Sequence, residues 1–533
     1  MPRILVCDNL ALEGLEVLRE VGEIVIRSGL AEAELVALVP GFDAIIVRSA
    51  TKITAPIIEA ASSCRVIARA GVGVDNIDVP AATRRGLLVV NSPAGNVLAA
   101  AEHALALMLA AARCLPQASA ALKAGVWDRK SFAGRQIEGK TLGLVGLGNV
   151  GAEVAKRARG LGMAVLAHDP YVTEERAAAV GAKLANLPTV LRDSDFVSLH
   201  AAASAETEHL IGAEQLALLK PEAILINTAR GSLIDEGALV DALQGGKLAA
   251  AALDVFADEP TSNRALVELP NVIATPHMGA MTQEAQVNVA VDAARQVADV
   301  LAGRPPRWPV NAPPLPPEAL QVVAPFLPLA RALGQLARAL QQGALRRLEV
   351  LSSADLAPEY LAHVAATALA ELLRGVTDEP ANAINAALLA RERHVEVAQT
   401  RLDDDRGYTD VLELRVTAEA PVTVAGALLD RGHPRIIELD GYDLDLPPDG
   451  VALLVWRQAP SRPGFIGKVG TLLGESGVNI SAIQVSREAP GEIGLMALTV
   501  QGEVPEAALR EIAELDGVVR TRTIAFTPAG GST

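Results

Sequence analysis

TLGLVGLGNVGAEVAKRARGLGMAVLAHDP, residues 141–170, reads as strand, glycine turn, helix and second strand, and that order decides how the surrounding chain is organised. Gly146, Gly148 and Gly151 form a G-x-G-x-x-G between an apolar β-branched run and an Ala-rich helical one. The first glycine permits a tight turn, the second lets the backbone approach a pyrophosphate, and the third lets the helix pack closely on the strand. The helix N-terminus then faces the phosphates with its partial positive charge. Asp169 follows Gly151 by 18 residues at the end of the next strand, where a carboxylate binds the adenosine ribose hydroxyls. An acid there also repels a 2′-phosphate, and Pro170-Tyr171 supplies no arginine to receive one, so NAD is expected rather than NADP.

Further β-branched runs follow at 195–200, 223–227, 250–255 and 271–276, which together with 141–146 and 163–168 predict a six-strand doubly wound parallel sheet. Upstream, short runs at 4–7, 23–26, 44–47, 66–68 and 87–90 alternate with helical stretches and predict a second parallel sheet. VLAAAEHALALMLAAARCL, from residue 97, is apolar on nearly every face and reads as a buried helix connecting the two. A helix near 282–302 is followed by GRPPRWPVNAPPLPP, where proline stops both helix and central strand, so a linker is expected there. From 318 to 447 the pattern becomes α+β with two apolar helices and a hairpin turning near Asp440-Gly441. The last 85 residues or so read βαββαβ, a ferredoxin-like order.

At 533 residues three or four domains are expected, and a single small binding module is excluded. Half the residues are apolar, only 3% are aromatic, and the net charge of −16 carries no basic tract. An extended nucleic-acid surface or an anionic membrane is therefore not the expected partner. Cys7, Cys64 and Cys114 are odd in number, scattered and outside any metal-ligand spacing, so a disulfide framework and a metal site are both unexpected and a cytoplasmic location is expected.

Three segments at expected strand ends carry the chemistry: NTARG at 227–231, DVFADEP at 254–260 and TPHMG at 275–279. In a doubly wound sheet such ends converge on the ligand. Oxidation of a hydroxy acid needs a base for the hydroxyl proton, for which His277 is suited, and a cation for the carboxylate, for which Arg230 is suited. Glu259 would orient the histidine and stabilise its imidazolium. Taken singly, each has an ordinary structural reading, and only the constellation points to catalysis.

These motifs, with GLGNVG, closely resemble the D-isomer-specific 2-hydroxyacid dehydrogenase family over residues 1 to about 305. The resemblance implies catalytic roles for Arg230, Glu259 and His277, and cofactor contacts at Asn149, Val150, Asp169, Thr228, Ala229, Asp254 and Gly279. VRSATKIT at 47–54 and ARAGVGVDNIDVPAATRRG at 68–86 are similar to the phosphoglycerate-oxidising branch, which implies that Arg48, Ser49, Val72, Gly73 and Asn96 contact the substrate or, in the case of Val72, the cofactor. Arg129, in WDRKSF, is a further candidate for an anionic substrate, supplied from within the chain or by a second subunit. Ala202 stands where the family usually has proline, and Ala280-Met281 where it often has a small residue and serine.

Residues 318–447 resemble the intervening, allosteric substrate-binding domain of the long members of that branch, and 450–530 resemble an ACT domain. The expected division is a Rossmann-type NAD domain (95–281), a flavodoxin-like split substrate domain (1–94 with 282–306), an α+β intervening domain with its linker (307–447) and an ACT domain (448–533). Asn479 and Ser461 are the candidate effector contacts. With Ala459 and Pro460 beside Ser461, a bound serine would be poorly paired, so weak or absent serine inhibition is expected. The implied reaction is NAD-dependent oxidation of D-3-phosphoglycerate, the first step of phosphorylated serine synthesis, by a homodimer or homotetramer. A glyoxylate or hydroxypyruvate reductase is the close alternative, and an NADH-sensing corepressor is the alternative from another class.

Overall fold

The computed structural model describes every residue except 314, 316, 378, 404–405, 430–431, 459–462, 487–492 and 527–533. The first sheet contains β1 (Arg3–Val6), β2 (Glu23–Ile26), β3 (Ala44–Val47), β4 (Val66–Arg69) and β5 (Leu88–Val90), all parallel, in the order β2-β1-β3-β4-β5. That is the flavodoxin-like order. Every residue of β3 is buried, as in a parallel sheet covered on both faces. Helix Gln283–Leu301 returns from far along the sequence and lays Val289, Ala290, Ala293 and Val297 into the core with Ile4 and Val6. This helix closes the core of the first sheet.

The second sheet contains β6 (Thr141–Val145), β7 (Ala164–His168), β8 (Lys183–Leu184), β9 (Phe196–Leu199), β10 (Ile224–Asn227), β11 (Ala250–Leu253) and β12 (Val272–Ala274). Its order is β12-β11-β10-β9-β6-β7-β8, parallel throughout, with the reversal of strand order between β6 and β9. It has seven strands where six were expected, because β8 is two residues long and leaves no periodic trace in the sequence. Helix Val97–Ala112 buries Ala101, Leu105 and Met108 in this domain. Among the described residues no single helix is long and apolar enough to cross a membrane.

The proline-rich stretch departs from its expected role as a free linker. Pro309 bridges Val90, the Val310 N–H donates to the Val89 carbonyl at 2.7 Å, and Asn311 Oδ1 accepts from the Val89 N–H at 2.8 Å. Residues 308–311 thus run along the free edge of β5, where a proline's missing donor costs nothing.

The third sheet contains β13 (Arg347–Ser352), β14 (Glu396–Arg401), β15 (Val411–Thr417), β16 (Val422–Leu429), β17 (His433–Leu439) and β18 (Tyr442–Leu446), in the order β14-β13-β15-β16-β17-β18. Only the β13–β14 pair is parallel. β17 and β18 turn at Asp440 and Gly441, both at positive φ, as the sequence predicts for a two-residue hairpin. Among the described residues four helices accompany this sheet rather than two; the additional ones, Pro317–Val323 and Ala386–Glu392, have seven residues each, too few to show a period.

The fourth sheet contains β19 (Val451–Gln458), β20 (Asn479–Val485), β21 (Ile493–Gln501) and β22 (Val518–Ala525), antiparallel in the order β20-β21-β19-β22, with helices Phe465–Glu475 and Glu506–Ala513. Leu453, Val455, Met496 and Leu498 pack under these helices. The opposite face, with Ala452, Leu454, Trp456 and Leu495, joins the core of helix Phe326–Leu340 and the third sheet. The last two sheets therefore share a core across residue 447.

Candidate active site

The turn after β6 is shaped as a nucleotide cradle. Gly146 has φ +96, and a Cβ there would lie 2.7 Å from the His200 and Ala201 backbone. A Cβ on Gly151 would lie 2.3 Å from the Gly146 carbonyl oxygen, whereas Gly148 opens onto free space. Helix Asn149–Gly160 begins directly after Gly148, so its unpaired N–H groups face that space. Val150 is half-buried against the domain core. Asp169 is held at the end of β7 by the Leu147 N–H on Oδ2 (2.8 Å) and the Tyr171 N–H on Oδ1 (2.9 Å). Thr228 Oγ1 after β10 and Asn96 Oδ1 at the start of helix Val97–Ala112 are among the buried polar atoms without a hydrogen-bond partner. An open phosphate turn, an oriented acid and orphaned polar atoms near the chemistry fit a bound dinucleotide.

Loops after β3, β4, β10, β11 and β12 enclose a cavity of about 700 Å³ between the split domain and the NAD domain. Arg48, Ser49, Val72, Gly73, Asn96, Arg230, Glu259 and His277 all line it. His277 Nδ1 lies 2.6 Å from Glu259 Oε2, and the Phe256 N–H donates to Glu259 Oε1 at 3.1 Å. Burial opposes ionisation of Glu259, but its hydrogen bond to His277, that ring's charge, the Phe256 N–H and Arg230 outweigh it and hold the carboxyl below its ordinary range. An ionised carboxylate only accepts, so Nδ1 carries the hydrogen and Nε2 is the ring nitrogen left for a substrate.

Asp254 holds the loop that carries His277. It is almost wholly buried and accepts from Thr275 Oγ1 (2.6 Å), the Met278 N–H (2.9 Å) and the Gly279 N–H (2.8 Å), with His103 Nε2 at 3.1 Å. Burial works against its charge, and His103, Thr275 and Met278 together keep its pKa lowered. The loop needs this anchoring because His277 sits at φ +49, a conformation costly for a side chain with a Cβ. His103 was missed in the sequence, where it stands beside Glu102 in an otherwise apolar helix.

Arg69, at the end of β4, was also missed. Its Nε donates to Asn76 Oδ1 at 3.2 Å while its guanidinium lines the cavity with those of Arg48 and Arg230. Burial, then the charge of Arg230, pushes its pKa down to about 10. The signal was its place at a strand end in the stretch that also holds Val72 and Gly73. Arg48, chosen from the sequence, donates through Nη1 to the Asn9 carbonyl at 3.1 Å, with Met281 Sδ 3.9 Å from Nη2.

Among the described residues, two candidates for substrate or effector binding are not part of this cavity's lining. Arg129 is exposed on the loop after helix Leu115–Lys123 and is not part of the cavity lining within one chain. Asn479 is far along the chain in β20, where its Nδ2 donates to Gln501 Oε1 at 3.1 Å. Ser461, with Ala459 and Pro460, lies outside the described residues.

Comparison with known proteins agrees with this architecture. Residues 105–279 match the NAD-binding domain of the D-isomer-specific 2-hydroxyacid dehydrogenases, 322–440 match the D-3-phosphoglycerate dehydrogenase intervening domain, and 458–517 match the ACT domain. The chain is 44% identical over 527 residues to a D-3-phosphoglycerate dehydrogenase from Synechocystis sp., covering 98% of this chain and 95% of that one. It is 41% identical to the enzyme of that name from Methanocaldococcus jannaschii, over 97% of this chain and 98% of the relative. A crystal structure of a glyoxylate reductase from Paecilomyes thermophila aligns with TM-score 0.55 and 32% identity, covering 98% of that chain but 58% of this one. The chain therefore belongs to the D-3-phosphoglycerate dehydrogenase family, a branch of the D-isomer-specific 2-hydroxyacid dehydrogenases, with an intervening and an ACT domain behind its NAD-binding domain.

Proposed function

We infer that the protein oxidises the C2 hydroxyl of D-3-phosphoglycerate to give 3-phosphooxypyruvate, with NAD as cofactor. The observation that carries this reading is one cavity lined by both the His277–Glu259 pair and three guanidinium groups, Arg48, Arg69 and Arg230. A proton acceptor alone would serve any 2-hydroxy acid. Three cations suit a substrate that carries a carboxylate and a phosphate at once.

When bound, NAD supplies the acceptor for the hydride that leaves C2. His277 Nε2 takes the hydroxyl proton as the C2–O bond becomes a carbonyl, and Glu259 stabilises the imidazolium that results. Arg230 holds the C1 carboxylate, while Arg69 and Arg48 hold the phosphate. Thr228, Ala229, Asp169 and the glycine turn are the proposed cofactor contacts. Following NADH absorbance with 3-phosphoglycerate against D-glycerate and D-lactate tests the reading: strong preference for the phosphate ester supports it, and equal turnover of all three rejects it. The glyoxylate reductase likeness covers only the front of the chain, whereas the phosphoglycerate dehydrogenases match nearly all of it.

A homo-oligomer, dimer or tetramer, is part of this proposal. Leu98, Leu115, Leu122, Val126 and Trp127 are exposed on consecutive elements and supply an apolar strip that a second copy would cover. Such a copy would also give Arg129 a role at its neighbour's cavity. Three unpaired cysteines suit a reducing, cytoplasmic setting.

A further inference from the structure

The arginine-lined cavity holds one carboxylate that the proposed chemistry does not use. Asp75, on the loop after β4, has a side chain 66% exposed, and its Oδ2 accepts from Arg230 Nε at 3.2 Å. This pair crosses the cleft, since Asp75 belongs to the split domain and Arg230 follows β10 of the NAD domain. Arg230 Nη1 donates to the carbonyl of its neighbour Ala229 at 2.7 Å. Nη2 is left for a ligand.

A two-point grip on a ligand carboxylate uses Nε with Nη2, or Nη1 with Nη2. The first grip displaces Asp75, because Nε has a single N–H; the second can use the other N–H of Nη1 and then leaves the Asp75 charge beside the incoming anion. A carboxylate on an exposed loop leaves at lower cost than a backbone carbonyl held within the same turn, so the exchange falls on Asp75. Gly73 makes the arrangement possible: a Cβ there would lie 1.8 Å from Arg230 Nη2 and 2.6 Å from Asp75 Oδ2. The other acid in the lining, Glu259, is committed to His277 and the Phe256 N–H. Among the described lining residues Asp75 is thus the exchangeable acid.

Three guanidinium groups around one cavity attract any small anion, and inorganic phosphate offers the same oxygens as a phosphate ester. We propose that Asp75 is a specificity-determining residue, an exchangeable counter-ion that keeps Arg230 closed to simple anions and yields it to a ligand presenting a carboxylate together with a second anionic group. A lone phosphate meets the repulsion of Asp75 with only one set of contacts to offset it. A ligand that spans the cavity brings its own replacement for Asp75 while Arg69 and Arg48 hold its other end. The identity of that ligand rests on the functional reading above.

Titration calorimetry of the full chain with sodium phosphate, at ionic strength held constant with chloride, compares the protein with its Asp75→Asn and Asp75→Glu variants. Phosphate is expected to bind Asp75→Asn about tenfold more tightly, because removing one nearby negative charge acts on a divalent anion, and Asp75→Glu is expected to stay near the parent. In turnover assays with the Asn variant, the Ki for phosphate should fall by a larger factor than the KM for 3-phosphoglycerate. Equal phosphate affinity in all three proteins overturns the proposal, and so does a KM that falls in step with the Ki. If the parent protein does not reduce NAD with 3-phosphoglycerate, the functional reading fails on its own, and the calorimetry still decides the role of Asp75.

Discussion

The front and rear of the molecule arrange their sheets in opposite ways, and their chemical content differs accordingly. In residues 1–311 both sheets are parallel throughout, so every strand delivers its carboxyl end to the same edge of its sheet. Loops after five strands then meet around one cavity, as expected at such edges. In residues 317–526 nearly all pairs are antiparallel, so successive strand ends alternate between opposite edges and their polar groups disperse. A cavity of about 770 Å³ does open between β18 and strands β20 and β21. Its Arg435 already faces Asp445 at 3.7 Å, with Asp449 also in the lining, whereas the front cavity sets three arginines against one exchangeable acid. Parallel topology gathers a site, and antiparallel topology builds a platform whose faces both pack.

This contrast can be broken first at the front. Replacing His277 with Ala should lower kcat by roughly a thousandfold, the scale of a lost general base, while NADH binding measured by fluorescence is retained. Unchanged turnover would mean that the convergence after β12 is not the reaction centre. At the rear, Leu454 is wholly buried in the core shared by the last two sheets. Leu454→Ala should cost about 3 kcal/mol and lower one joint calorimetric transition for both sheets. Two separate transitions, with only one shifted, would show that the rear is not a single cooperative unit.

Smaller effects sharpen the comparison. Arg69→Gln should raise the KM for 3-phosphoglycerate about tenfold or more and leave D-glycerate nearly unaffected, because one charge-assisted contact to the phosphate is lost. An equal rise for both substrates would move Arg69 from the phosphate end to the carboxylate end. The subtlest test concerns protons. The carboxyl of Glu259 should titrate below its ordinary value of about 4.3 and rise in His277→Ala, as read by carbon NMR. Since the folded pKa is the lower one, the stability this pair contributes is present above the unfolded value and is lost as pH falls through the folded one. A carboxyl unmoved by the substitution would remove His277 as its partner.

Much of the front was legible because its signals are local. The glycine spacing at 146–151, the acid at Asp169 and the strand-end motifs around Arg230, Glu259 and His277 each lie within one turn or one strand, where backbone conformation and side-chain chemistry are set by near neighbours. His103 was hidden because its partner, Asp254, is 151 residues away in sequence. Asp75 was hidden for the same reason, since nothing near it announces a contact to Arg230 across the cleft. Arg69 and Arg48 look alike as strand-end arginines. Only the folded loop shows that Arg48 uses Nη1 on the Asn9 carbonyl.

The rear was legible in order but not in packing. Alternating apolar residues predicted βαββαβ and the Asp440-Gly441 hairpin, because period and turn chemistry are properties of single strands. They could not show that Leu454 and Trp456 share a core with helix Phe326–Leu340, since an apolar residue carries no label for the surface that buries it.

The amino-acid sequence alone determined the dinucleotide turn, the preference for NAD, the two parallel sheets and the identity of the groups suited to move a proton and hold an anion. Tertiary structure alone decided which of these groups share a cavity, that a buried carboxylate holds the histidine loop, and that Asp75 balances Arg230. Short-range backbone preferences are written residue by residue, whereas electrostatic pairing and burial depend on distances that exist only once remote segments are brought together.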